Sequence, residues 1–275
     1  MNGLVYFKPS GLVRGYTPGL ASGGISFDQN AADYLTAAGI TDATQKAAYN
    51  TLVVTLKAYS IYSKLFALYP FLGGTAASHK WNAINPADTD GAFRLTFTGG
   101  VTHASTGITF NGTTGFADTK FNASSSGFTT TSGSFGCYCR TNTAGGYDFS
   151  CSNAADTHTT TVISRYTGNN QFSGYGTTLS SVANSDGRGL FCTNRNGASN
   201  TEGYKNGSRV INAIASVTLP SYALYLGAQN RAGSAIEFCA KEYALAYISS
   251  ALSQTEQANL YTAVQAFQTA LGRNV

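Results

Sequence analysis

Charge is scarce in this sequence. Lys, Arg, Asp and Glu make up 11% of 275 residues and apolar types 43%, where an average globular chain is roughly 25% charged, so neither charge-driven disorder nor a coiled coil fits. The 17 basic and 13 acidic residues are scattered without a run of one sign, and the formal net charge is +4. Nucleic acid is therefore excluded as an expected partner, because backbone binding depends on clustered Lys and Arg. Long apolar runs are missing too. Leu52 to Leu56 and Leu65 to Leu72 fall far short of the roughly 20 residues that span a bilayer, so no membrane insertion is expected. The first residues, MNGLVYFKPSGLVRG, lack the apolar core of a secretory signal, which makes the cytosol the expected place of synthesis. There is no G-x-S-x-G and no Walker-type loop.

Cysteine is present in an odd number, five. Cys137, Cys139, Cys151, Cys192 and Cys239 match no disulfide-scaffold or zinc spacing and read as buried thiols. Cys137 and Cys139 flank Tyr138 in a predicted strand, so they share a face with Phe135. His79, His103 and His158 read as isolated from one another. No metal ligand set and no cofactor is expected. Asp88-Thr-Asp90-Gly91 resembles the start of a calcium loop, but no bidentate Glu follows, and Pro86 and Gly91 make it a turn.

What the chain does have is neutral polarity: abundant Ser, Thr and Asn, with 31 Gly and 17 Tyr, the composition of a β-rich fold with many turns. Residues 1–27 read as an N-terminal arm, broken by Pro9, Pro18 and glycines yet apolar at Leu4 to Phe7, Leu12 and Val13; such an arm docks on its own chain or on a neighbour. Residues 28–72 read as a helical appendage. Asp28 caps a helix that stops near Gly39, and Thr41 or Asp42 caps a second whose Tyr49, Leu52, Val53 and Leu56 form a core-facing stripe. Residues 73–275 read as a β-sandwich with a closing helix. Phe93, Leu95 and Phe97 alternate with polar neighbours, as do Leu224 and Leu226, and Ile236, Phe238 and Ala240. Turns are predicted at Asn111-Gly112, Asp186-Gly187, Asn196-Gly197 and Asn206-Gly207. Ser253 and Glu256 form a capping box for the last helix, with Leu260, Val264, Phe267 and Leu271 on one face and Gly272 as its stop.

Three segments resemble concanavalin A-like and laminin-G-like jelly rolls: Glu202 to Val210 as a hairpin, Tyr222 to Gly227 as the following strand, and Ala244 to Glu256 as the closing strand leading into a helix. The resemblance implies a mainly β fold, an antiparallel β-sandwich jelly roll. A second resemblance runs through Leu68 to Asn82, Ala92 to Gly100, Asn111 to Asp118 and Leu260 to Gln268, and covers most of the chain after residue 30. These segments are similar to structural proteins of bacteriophages that infect Bacteroidetes-type hosts. That likeness implies a virion component of fibre, spike, tail or decoration type, with other virion proteins and further copies of itself as partners and host-surface glycans as a possible target.

Many concanavalin A-like proteins are glycosidases, whose retaining members place two carboxylates about 5 Å apart. Their E-x-D-x-x-E arrangement is absent here. The four glutamates are Glu202, Glu237, Glu242 and Glu256; Glu256 is used in the cap, and Glu237 and Glu242 point oppositely in a regular strand. No catalytic residue is assigned, and a non-enzymatic protein is expected, with a cementing protein or a polysaccharide depolymerase as alternatives. Some laminin-G-like domains hold calcium between their loops, which keeps that alternative open. Tyr147, Tyr166, Tyr175 and Tyr204, with Asn169, Asn170, Asn194 and Asn196, fall in or near predicted loops and offer rings and amides to sugars, by fold analogy; no carbohydrate-binding set is fixed among them.

Overall fold

Local capping decides where the helices begin. The Asp28 carboxylate accepts from the Asn30 N–H and opens α1 (Gln29–Ala37), which ends at Gly39 with φ of 65°. Asp42 accepts from the Gln45 N–H and opens α2 (Ala43–Ala58). A short α3 (Ala76–His79) is capped by Thr75, and the Ser253–Glu256 box opens α4 (Gln254–Ala270). The computed structural model describes residues 27–176, 179–212 and 218–275. The arm expected over 1–27 thus lies almost wholly outside the described residues. Among the described residues, no helix is long and apolar enough to cross a membrane.

Seventeen short strands are described. They are β1 (Leu65–Tyr69), β2 (Thr96–Thr98), β3 (Val101–Ala104), β4 (Gly107–Phe110), β5 (Phe116–Asn122), β6 (Ser132–Cys139), β7 (Phe149–Ser152), β8 (Thr159–Tyr166) and β9 (Asn169–Gly176). Then follow β10 (Ser180–Ala183), β11 (Gly189–Asn196), β12 (Thr201–Lys205), β13 (Ser208–Asn212), β14 (Ala223–Leu226), β15 (Gln229–Arg231), β16 (Ser234–Ile236) and β17 (Glu242–Ser249). One sheet has the order β13-β12-β11-β6-β17-β4-β3, with β1 also on β17. The other runs β10-β9-β8-β7-β14-β5-β2, with the β15–β16 hairpin joined to β7. All pairings are antiparallel except β7 with β15. The fold is a mainly β sandwich with small helical elements at its two chain ends.

Two cores explain how the layers hold together. Between the sheets, Phe135, Cys137, Cys139, Phe149, Cys151, Val162, Phe172, Phe191, Leu224, Leu226 and Ile248 form one buried cluster. On the opposite side of β6, Tyr138 joins Leu190, Cys192, Leu245 and Tyr247 in a second cluster with Tyr49, Leu52, Val53, Leu56, Leu260, Val264 and Phe267. Strand alternation therefore sends Cys137 and Cys139 to one core and Tyr138 to the other, as the sequence predicts. The helices α1, α2 and α4 cover the outer face of the first sheet as a third layer. All five thiols are free and buried; burial pushes Cys139 and Cys239 up to about 12, which keeps them protonated.

Three expectations need correction. Leu65–Tyr69, inside the stretch read as helical, pairs with β17 from Leu65↔Ser249 to Tyr69↔Ala246, so a boundary at 72/73 cuts through a sheet. Phe93 does not belong to a strand: it follows a turn at Asp90–Ala92 with φ of 59°, and the strand begins at Thr96. The run from Ile236 to Ala240 is interrupted likewise, because Glu237 has φ of 49° and β16 ends before it. Of the Asn-Gly pairs, Asn206-Gly207 joins β12 to β13 with φ of 50° and 74°, the left-handed pair that suits a two-residue hairpin. Asn111 instead uses its side-chain carbonyl to hold the N–H groups of Thr113, Thr114 and Gly115.

Candidate functional site

With helices over one sheet, the aromatic residues that alternation sends outward on the other sheet are the ones left half exposed. On β5, Ala117 and Phe121 are inside while Phe116 and Asp118 face out; on β14, Leu224 and Leu226 are inside while Tyr225 faces out. The register Tyr225↔Asp118 makes Phe116 the diagonal neighbour of Tyr225. Their rings stack with centroids 4.6 Å apart and planes at 24°. Phe238 adds a third ring at 6.3 Å from Phe116. The adjacent Glu237 accepts from the Tyr147 N–H through its carbonyl at 2.8 Å, and Tyr147 meets Tyr166 edge-on at 6.4 Å. Glu237 and Phe238 thereby tie the two groups of rings together.

Polar groups accompany the rings. Asp156 accepts from Ser152 Oγ at 2.7 Å, from Gln229 Nε2 at 3.0 Å and from the Arg231 guanidinium. Arg165 donates from Nη1 to both the backbone and side-chain oxygens of Asn142 at 2.9 and 3.0 Å. The buried Nε atoms of Arg165 and Arg231 have no hydrogen-bond partner among the described residues. Burial, then Glu237 and Asp156, push the Tyr147 hydroxyl up to about 12, and burial with Asp118 pushes Tyr225 up as well. Both phenols stay protonated and neutral. Flat neutral rings beside guanidinium and carboxylate groups are suited to stacking on apolar ring faces and to hydrogen-bonding hydroxyls.

The structure divides the residues singled out from the sequence. Tyr147 and Tyr166 come together in this strip. Tyr175 and Tyr204 are buried at 1% and 0% exposure: Tyr175 faces the inter-sheet core from β9, and Tyr204 lies under the helices on β12 with its hydroxyl on Glu202 at 2.8 Å. Asn170 and Asn194 are buried. Asn194 is structural, binding Glu202 and both backbone groups of Leu252. Asn169 and Asn196 remain accessible. Phe116, Tyr225 and Phe238 were not singled out as binding residues. Phe116 and Tyr225 take the outward phase of strands whose inward phase is legible, whereas Phe238 lies between β16 and β17, where the expected strand is interrupted.

At the turn expected over Asp88 to Gly91, Asp88 pairs with Lys80 and Arg94, and Asp90 with Arg94. Ten of the thirteen carboxylates lie in ion pairs. Of the others, Asp33 binds Gln29 and Asp42 caps α2, so among the described residues Glu237 is the carboxylate beside the aromatic strip that lies outside an ion pair.

His79 and His103, read as isolated, are in contact. Their Nδ1 atoms are 3.1 Å apart. His79 Nε2 accepts from the Gly74 N–H at 3.1 Å, so in the neutral ring the proton is on Nδ1 and points to His103 Nδ1. Burial, then His103 and Arg273, lower the His79 pKa to about 3, and burial lowers His103. A histidine depressed in the fold contributes stability that is present above its unfolded value near 6.5 and lost as pH falls toward 3. Lowering the pH from about 7 to 5 is therefore expected to cost on the order of 2 kcal/mol from His79. Urea denaturation at both pH values checks this, and His79→Gln should remove most of the difference.

No protein-family model matches the sequence, and no curated protein matches it. Solved structures do. A mutant of Trypanosoma rangeli sialidase displaying trans-sialidase activity matches over 79% of this chain and 39% of its own, with TM-score 0.53 and 10% identity. The fold is a β-sandwich with a counterpart in that sialidase. Domain 4 of AbnA, an extracellular arabinanase from Geobacillus stearothermophilus, solved with arabinotriose, matches over 72% of this chain and 98% of its own, with TM-score 0.45 and 14% identity. The binding domain of botulinum neurotoxin DC, solved with rat synaptotagmin II, matches over 74% and 53%, with TM-score 0.49 and 11% identity. This chain spans less than half the length of the sialidase it matches.

Proposed function

We propose that the chain is a non-enzymatic, carbohydrate-binding component of a bacteriophage particle, of fibre, spike or decoration type, which meets host-surface glycans through the strip of Phe116, Tyr225, Phe238, Tyr147 and Tyr166. The observation that carries the reading is this half-buried group of rings, with Phe116, Tyr225 and Tyr166 on the sheet opposite the helical layer and Tyr147 and Phe238 in loops beside it. The carboxylate arrangement supports binding without hydrolysis, since glycoside cleavage takes two cooperating carboxyl groups and, among the described residues, the strip has Glu237 alone outside an ion pair. The place in a virion rests on the likeness of Leu68 to Asn82, Ala92 to Gly100, Asn111 to Asp118 and Leu260 to Gln268 to phage structural proteins. In that setting the helical layer faces the particle and further copies of the chain, and the aromatic strip faces outward.

Incubating the purified protein with host-cell polysaccharide, with the polymer sized afterwards, tests this. Binding with the polymer length unchanged is the expected outcome. Shortened chains would make the protein a depolymerase, and absence of binding would leave a cementing role.

A further inference from the structure

At one end of the sandwich, a lysine and an aspartate meet out of contact with water. Asp148 immediately precedes β7 in one sheet and Lys241 immediately precedes β17 in the other. Both side chains are 0% exposed, and Lys241 Nζ lies 3.0 Å from Asp148 Oδ2. Buried neutral side chains surround them: Cys137, Cys139, Cys239 and Phe149 are all at 0–1% exposure. The other carboxylate oxygen, Oδ1, accepts from Ser164 Oγ at 3.1 Å and from the Tyr243 hydroxyl. The Tyr243 oxygen is itself 3.0 Å from Cys239 Sγ.

We propose that Lys241 and Asp148 condense into an intramolecular isopeptide bond that staples the two sheets together. In a dry site the ion pair can neutralise by passing one ammonium proton to Oδ2, since burial disfavours isolated charge. The amine lone pair then attacks Cγ, and the oxyanion forms at Oδ1, where the hydroxyls of Tyr243 and Ser164 already donate. Oδ2 takes a second proton from the nitrogen and leaves as water. One ammonium and one carboxylate thus become one amide and one water, with no oxidant or co-reactant. The fold supplies the proximity that makes such a condensation effectively unimolecular. The link would close a loop between residues 93 apart in sequence, a constraint on the unfolded chain of the kind a disulfide provides.

Mass spectrometry of the full chain, denatured after folding, tests this directly. The wild type is expected to be one water lighter than its sequence requires, and digestion should yield a branched peptide joining Asp148 to Lys241, uncut by trypsin at Lys241. Lys241→Met should have its full sequence mass. Tyr243→Phe should accumulate the branched species about a hundredfold more slowly, the scale of losing one oxyanion donor. A wild type at full mass after prolonged incubation in the folded state overturns the proposal. So does a water lost from a linear peptide containing Asp148, which would mark a succinimide. The wild-type result decides even where a variant does not fold.

Discussion

Replacing Asp148 with alanine is expected to lower the unfolding free energy, relative to protein in which Asp148 and Lys241 are still an unlinked ion pair, by about 3–5 kcal/mol, the range for breaking a buried pair by removing one partner. The Lys241 ammonium would keep Ser164 Oγ and the Arg165 carbonyl, at 3.2 and 3.3 Å, but lose its counter-charge. Burial pulls the lysine toward neutrality, and it is Asp148 that holds it above its ordinary pKa. On the acidic side, the Ser164 N–H and the Tyr243 hydroxyl would lose their acceptor. Lys241→Met should do less damage, because the carboxyl left behind keeps three donors and can take up a proton. Denaturant unfolding of both variants checks the order: Asp148→Ala well below Lys241→Met. Equal stability of Asp148→Ala and the wild type would contradict the burial of the pair.

The second large effect is expected at Arg273. Its guanidinium is 1% exposed and donates to the carbonyls of Phe71 at 3.0 Å, Pro70 at 3.2 Å and Ala244 at 3.2 Å, and to Gln268 Oε1 at 2.9 Å. It also lies over the Phe267 ring at 5.3 Å. One side chain thus joins the end of α4, the chain leaving β1 and the middle of β17. Burial and then Arg140 lower its pKa to about 10, so it remains charged at neutral pH. Arg273→Ala would strand the buried Phe71 and Pro70 carbonyls and Gln268 Oε1, while the Ala244 carbonyl keeps Gln268 Nε2 at 3.4 Å, at a cost on the order of 3 kcal/mol, or a fall in melting temperature of about 6–12 °C. A calorimetric shift within about 2 °C would mean that the helical layer and the sandwich are not coupled through this residue.

These two sites show where reading from sequence stops. Caps and alternation are local, and they were legible: Asp28, Asp42 and the Ser253–Glu256 box open helices as expected, and Cys137 and Cys139 face the core opposite Tyr138. Pairings between distant segments leave no local trace. His79 and His103 meet across 24 residues, Asp148 and Lys241 across 93, and Arg273 reaches Phe71 across 202. Strand interruption was illegible for another reason. Phe93 and Glu237 take left-handed φ values that their residue types do not favour, so periodicity ran through positions where the strands had already ended. Of the aromatic strip, Tyr147 and Tyr166 are legible from composition near loops. Tyr175 and Tyr204 were lost to the core, because tyrosine richness does not tell a loop ring from a strand ring. The stack of Phe116 on Tyr225 depends on the register of β5 against β14, which sequence spacing alone does not set.

The low charge of the chain has a consequence for function. On the proposed reading, a strip of neutral phenols and phenylalanines would bind glycans through stacking and hydrogen bonds, which salt screens weakly compared with contacts between exposed charges. Binding by such a strip is then expected to change little between low and physiological salt.

The measurement that bears most directly on the central claim is titration of the wild type and of Tyr225→Ala with the host polysaccharide, together with Tyr204→Phe as a buried control. Loss of one stacked aromatic at a binding surface is expected to weaken affinity by about tenfold or more, while the control binds as the wild type does. Wild-type affinity in Tyr225→Ala and in Tyr147→Ala would contradict the assignment of glycan binding to this strip.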